Sequence, residues 1–194
     1  MMLSAKIDKL RESLSCVTYR GDQHAHILIE ETDVSAKLRK VTLTTPNGDW
    51  ISINPDKGRG KLAKMSPLLA VSDNSNAKHG HHCACDNVIF LVRNDKLTVI
   101  YIDLKSNNPT GYANQFKSTR QFVHYAIALI EEFHALKLMI TDERYIVLWG
   151  GKPTSLNKTT TVAKPEKLTK TAPDKAYKRE ISNGEKIYLK ELLS

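Results

Sequence analysis

Three side chains near the middle of the chain, Asp86, Asp103 and Lys105, have the types and spacing needed to hydrolyse a phosphodiester. They bound the stretch DNVIFLVRNDKLTVIYIDLK, which reads as two buried strands joined by a polar turn at Arg93-Asn94-Asp95-Lys96. Charged residues stand there where a sheet ordinarily wants apolar ones. Residues two apart on a strand share a face, so Asp103 and Lys105 project together while Leu104 points the other way. Pairing about the turn brings Asp86 level with Asp103 to Lys105. Two carboxylates and an ammonium placed this way can hold Mg²⁺ or Mn²⁺, which activates water and neutralises phosphate charge, while the lysine orients the nucleophile or the phosphate.

The flanking elements must supply the sheet and its cover. Apolar residues at Leu3, Ile7, Leu10 and Leu14 predict an amphipathic helix within Met2 to Cys16. His26 to Glu31 and Val41 to Thr45 read as extended, with Val34 to Lys40 a polar connector. Asn47-Gly48 predicts a hairpin between Val41–Thr45 and Trp50–Asn54. After Lys105 a loop leads to a helical pattern from Tyr112 to about Leu136, and Arg144 to Trp149 reads as a further strand. Residues 1–151 make one domain, and 152–180, rich in lysine, threonine and proline, read as a flexible basic linker. Residues 181–194 regain pattern as a strand or short helix.

Asp86, sixteen intervening residues and then Asp103-Leu104-Lys105 resemble the D…(D/E)xK signature of the PD-(D/E)XK nuclease superfamily. Asp103-Leu-Lys-Ser-Asn107 is most similar to its RecB-type branch, and Gln121-Phe-Val-His-Tyr125 stands where that branch carries Gln-x-x-x-Tyr on the next helix. The resemblance covers roughly residues 83 to 135 and the strand at 144–149. Two features depart from it. Cys85 stands where proline is common, and no Gly-x-x-x-His or Gly-x-x-x-Glu precedes the strands, which leaves Glu12, Glu30 and Glu31 as candidates for a further metal ligand. The resemblance implies a restriction-endonuclease-like α/β fold, with a mixed central sheet flanked by helices. It also implies a Mg²⁺-dependent deoxyribonuclease in which Asp86, Asp103 and the Leu104 carbonyl bind metal. Lys105 would position the attacking water, and Gln121 and Tyr125 would contact substrate.

Charge agrees with an anionic partner. The 194 residues carry a formal net charge of +8, which favours nucleic acid, DNA ahead of RNA. Lys57, Arg59 and Lys61 lie on a glycine-containing loop, and Lys117 and Arg120 near the start of the long helix; each can contact phosphate. No run approaches a membrane span, the N-terminal stretch lacks a signal-peptide core, and three cysteines do not suit a disulfide framework, so the cytoplasm is the expected compartment. His79-Gly-His-His-Cys-Ala-Cys85 invites a zinc reading, but its cysteine spacing is wrong for one. Cys83 and Cys85 then read as small buried strand residues, with His81 or His82 bordering the cleft. The rival to the nuclease is a binding module without chemistry, or an accessory subunit of a defence or repair complex with a protein partner or a second copy of the chain.

Overall fold

The computed structural model describes residues 3–60, 64–66, 68–72, 80–150 and 171–193. Its sequence of elements is α1 (Ala5–Ser13), β1 (Val17–Arg20), β2 (His26–Glu30), β3 (Lys40–Thr44), β4 (Trp50–Ile53) and α2 (Pro55–Gly58). Then follow β5 (Asn87–Arg93), β6 (Lys96–Ser106), α3 (Ala113–His134), β7 (Ile140–Gly150), β8 (Tyr177–Ile181) and β9 (Lys186–Tyr188). A single 3₁₀ turn precedes β5 and another follows β9. The architecture is mixed α/β. Among the described residues no helix is long and apolar enough to cross a membrane.

Six strands form the central sheet in the order β1-β4-β5-β6-β7-β8. The first four are joined antiparallel, whereas β7 runs parallel to β6 and β8 parallel to β7. Parallel neighbours require a crossover, and α3 supplies it between β6 and β7. One face of the sheet packs on α1 through Ile7 and Leu10 and on α3 through Phe116, Val123 and Ile127. Its other face packs on a second sheet of order β2-β3-β9, through Ile27, Ile29, Val41, Leu43 and Ile187. Because β5 and β6 lie between two apolar layers, they are buried along almost their whole length. Continuous rather than alternating hydrophobicity is the sequence trace of that position. Among the described residues the helices therefore cover one face, which corrects the expectation of a sheet flanked by helices: the strands flanking Val34 to Lys40 form a layer of their own.

The hairpin expected at Asn47-Gly48 does not form. β3 pairs with β2 and β9, and β4 pairs with β1 and β5, so the turn hands the chain from one sheet to the other. A close backbone contact fixes that handover: the Gly48 N–H donates to the Gly21 carbonyl at 2.9 Å, and the Gly21 N–H donates to the Trp50 carbonyl at 2.8 Å. A Cβ at Gly21 would lie 2.2 Å from the Gly48 oxygen and 2.6 Å from the Trp50 ring. Gly21→Ala is therefore expected to destabilise the protein by about 3 kcal/mol in a denaturant titration. At Gly48 the nearest atom to an added Cβ is Trp50 Cδ1, at 3.6 Å, so Gly48→Ala is expected to cost under about 1 kcal/mol.

The C-terminal part of the basic stretch is built into the fold. From Thr171 onward the chain is fastened by its neighbours, since the Tyr145 N–H donates to Thr171 Oγ1 at 2.9 Å and the Tyr112 hydroxyl donates to the Asp174 carbonyl at 3.2 Å. β8 then adds to the sheet edge, placing Tyr177 to Glu180 in a strand where the sequence suggested a linker. The earlier part of that stretch, residues 152–170, lies outside the described residues. The final segment is both of the expected alternatives in turn, the strand β9 and then a 3₁₀ turn at Leu189–Leu192.

Candidate active site

The β5–β6 hairpin sets the site. Asn94 and Asp95 have φ of 50° and 62°, the left-handed pair that a two-residue hairpin turn demands and that asparagine and aspartate tolerate. The register runs from Arg93 opposite Lys96 to Asn87 opposite Ile102, so Asp86, one residue further, faces Asp103. Asp86 Oδ2 accepts the Leu104 N–H at 2.6 Å. The N–H and carbonyl of a strand residue leave toward the same edge, which directs the Leu104 carbonyl to the side of Asp86. Immediately upstream, the Cys85 N–H donates to Thr119 Oγ1 of α3 at 3.0 Å, and its thiol donates to the Asn87 carbonyl at 3.4 Å. Asp86 is thus held from both sides.

Asp103 is fully buried. Its Oδ2 lies 2.7 Å from Lys105 Nζ, and its carboxylate shares a side-chain hydrogen bond with Asp86. Lys105 Nζ also donates to Gln115 Oε1, in the first turn of α3, at 2.6 Å. Burial pushes Asp86 well above the usual carboxylate range, and the charge of Asp103 adds to the shift. Burial likewise raises Asp103, to about 6, against the opposing pull of the Lys105 ammonium. Glu31, just past the end of β2, adds negative charge that raises both. Of the three upstream acids named from sequence it is the one whose charge both aspartates feel; Glu12 is paired with Lys9 on α1 at 2.7 Å, and Glu30 is exposed.

This donor set fits a hard divalent cation. Mg²⁺ keeps most of its waters and is held by one or two carboxylates, which Asp86 and Asp103 supply, with the Leu104 carbonyl at the same edge. No group of three His, Cys, Asp or Glu side chains converges as a metal cage among the described residues. His79 of the histidine–cysteine run lies outside the described residues, and the described histidines of that run have other partners. His81 and His82 both place Nε2 against the Ala70 carbonyl, at 3.0 and 2.9 Å, and His82 Nδ1 accepts the Met65 N–H at 3.1 Å. They fasten the backbone at Met65 and Ala70. Cys83 and Cys85 precede β5 instead of lying within it, which corrects their reading as strand residues, and burial raises the Cys85 thiol so far that it stays protonated.

The residues expected to contact nucleic acid separate into groups. Lys117, Gln121 and Tyr125, at i, i+4 and i+8 on α3, line one groove together with Leu68, His81 and Phe122. Tyr125 is 61% exposed. Arg120 instead turns to Glu143 of β7, its Nε 2.9 Å from Glu143 Oε2, in a cluster that His124 and the Tyr101 hydroxyl complete. Lys57 is exposed on α2, whereas Arg59 is engaged with Asp56 and with the His82 carbonyl. Lys61 lies outside the described residues.

Two site residues escape a reading by motif. Gln115, not Gln121, touches Lys105, and Thr119 fastens the backbone next to Asp86. Both follow from where α3 begins: a helix starting at Ala113 sets its first two turns over the ends of β5 and β6. Four residues apart, Gln115 and Thr119 share the face turned to the sheet. Comparison with protein-family models, with curated proteins and with solved structures returns no match to this chain.

Proposed function

We propose that the protein is a metal-dependent nuclease of the PD-(D/E)XK type, built on a restriction-endonuclease-like version of its mixed α/β fold and cleaving DNA. The observation that carries this reading is the buried Asp86–Asp103 pair, its two carboxyls hydrogen-bonded to each other beside Lys105. Isolated buried carboxylates are expensive, and a fold that aligns two of them with an ammonium keeps them for a charge that is to be bound there. Mg²⁺ or Mn²⁺ at the site supplies Lewis-acid stabilisation of the phosphate and lowers the pKa of a bound water. Asp86, Asp103 and the Leu104 carbonyl hold the metal. Lys105, steadied by Gln115, positions the attacking water, and the Lys117–Gln121–Tyr125 groove takes the substrate.

The test is incubation of the purified protein with linear and circular, single- and double-stranded DNA in Mg²⁺, Mn²⁺ or EDTA. Metal-dependent cleavage is expected, and comparing linear with circular substrates separates end-directed from internal cutting. Salt-sensitive binding that needs no metal and is followed by no cleavage would overturn the nuclease. The binding module would then stand.

The two glutamines divide binding from chemistry. Gln115→Ala is expected to lower kcat about tenfold with KM unchanged, because it frees the Lys105 ammonium from its place. Gln121→Ala, on the groove, is expected to raise KM a few-fold and leave kcat alone. Steady-state kinetics on one oligonucleotide checks both.

A further inference from the structure

Lys178 stands in the same register row as Asp103. Asp103 of β6 pairs with Val147 of β7, and Val147 with Lys178 of β8. Two strand spacings separate them, about 10 Å between backbones. Alternation settles the side. Tyr177 and Ile181 pack into the core between the two sheets, so Lys178 projects from the helix-covered face, the face of Asp103 and Lys105. Its Nζ lies 5.2 Å from the centre of the Tyr112 ring. Tyr112 caps α3 three residues before Gln115, which ties this lysine to the wall of the site.

We propose that Lys178 binds the phosphate next to the one seated at the acid pair, making β8 part of the substrate cleft; this rests on the nuclease reading. Without metal, the negative charge of the acid pair and of Glu31 repels a polyanion, and a cation two strands away offsets that repulsion where the neighbouring backbone must pass. A flexible four-carbon stem resting on an aromatic face keeps the ammonium exposed and able to follow a phosphate. Glu180, on the same face and level with Trp149, repels a phosphate lying further toward the ends of the strands, and so favours the position at Lys178.

The test measures binding of single- and double-stranded oligonucleotides by anisotropy over a range of salt, beside steady-state cleavage. Lys178→Ala is expected to raise Kd and KM about three- to tenfold and leave kcat within about twofold. It should also reduce the slope of log Kd against log salt by about one phosphate contact, and Lys178→Arg should restore both. Lys178→Met, which keeps the stem over Tyr112, should behave as Lys178→Ala with unchanged thermal stability. An unchanged Kd and slope in Lys178→Ala would overturn the proposal, and so would recovery of affinity in Lys178→Met, which would make the stem and not the charge responsible. Absence of cleavage by the unsubstituted protein counts against the nuclease, while the salt slope decides Lys178 separately.

Discussion

Asp103→Asn is expected to lose metal-dependent cleavage by about a thousandfold or more and yet, without metal, to unfold at a higher temperature than the unsubstituted protein at pH 7.5. The loss follows from removing half of the metal's carboxylate charge, since a bound cation supplies several kcal/mol of transition-state stabilisation and each 1.36 kcal/mol is about tenfold in rate. The gain follows from linkage. Asp103 is raised from an ordinary value of 3.8 to about 6 by burial, so between those limits the folded protein holds more protons than the unfolded chain. Stability therefore falls as pH rises through that window, and the loss is complete above it. Two pH units correspond to an upper limit of about 3 kcal/mol for this one group. Asparagine fills the same space without ionising, and Lys105 reaches solvent, so little is left uncompensated. Adding Mg²⁺ should raise the melting temperature of the unsubstituted protein and leave Asp103→Asn unmoved. Thermal melts at pH 4.5 and 7.5, with and without metal, check each part; a variant less stable than the original at both pH values would contradict the account.

The second large effect is expected at Lys105. Lys105→Met should abolish cleavage to a similar degree and also move metal binding to higher pH, because the ammonium 2.7 Å away is what holds Asp103 down. With that charge gone, burial acts unopposed and a proton competes harder for the site. Lys105→Arg separates the two roles. It keeps the charge, so the pH midpoint of metal binding should return, but a guanidinium does not reproduce the compact ammonium that positions water, so cleavage should stay low. Metal affinity measured from pH 5.5 to 8.5, beside single-turnover cleavage, reads both. An unmoved midpoint in Lys105→Met would break the link between lysine and carboxylate.

The central hairpin was legible because every local signal agreed. Two apolar runs, a polar two-residue turn and charges at the open ends specify one register, and that register brings Asp86 to Asp103. The helices α1 and α3 were legible for the same reason, a three-to-four apolar spacing. What was not legible depends on contacts between distant segments. Asn47-Gly48 has the local chemistry of a hairpin, and only the approach of Gly21 sends its strands to different sheets. β8 hides in basic composition, since Ile181 is its one fully buried apolar residue and its order comes from pairing along β7. Gln115 lacks a tyrosine partner four residues on, so the motif pointed to Gln121; the start of α3 decides which glutamine meets Lys105. Glu31 lies just past the end of β2, and its nearness to the aspartates follows from the packing of the second sheet.

Calorimetric titration of Mn²⁺ into the unsubstituted protein and into Asp103→Asn, at pH 6 and 7.5 in buffers of different ionisation heat, tests the metal centre most directly. The account predicts a single site that binds more tightly at pH 7.5 than at pH 6, releases protons as the metal enters, and is lost in Asp103→Asn. Equal binding by the two proteins, or none by the unsubstituted protein at millimolar Mn²⁺, would contradict it.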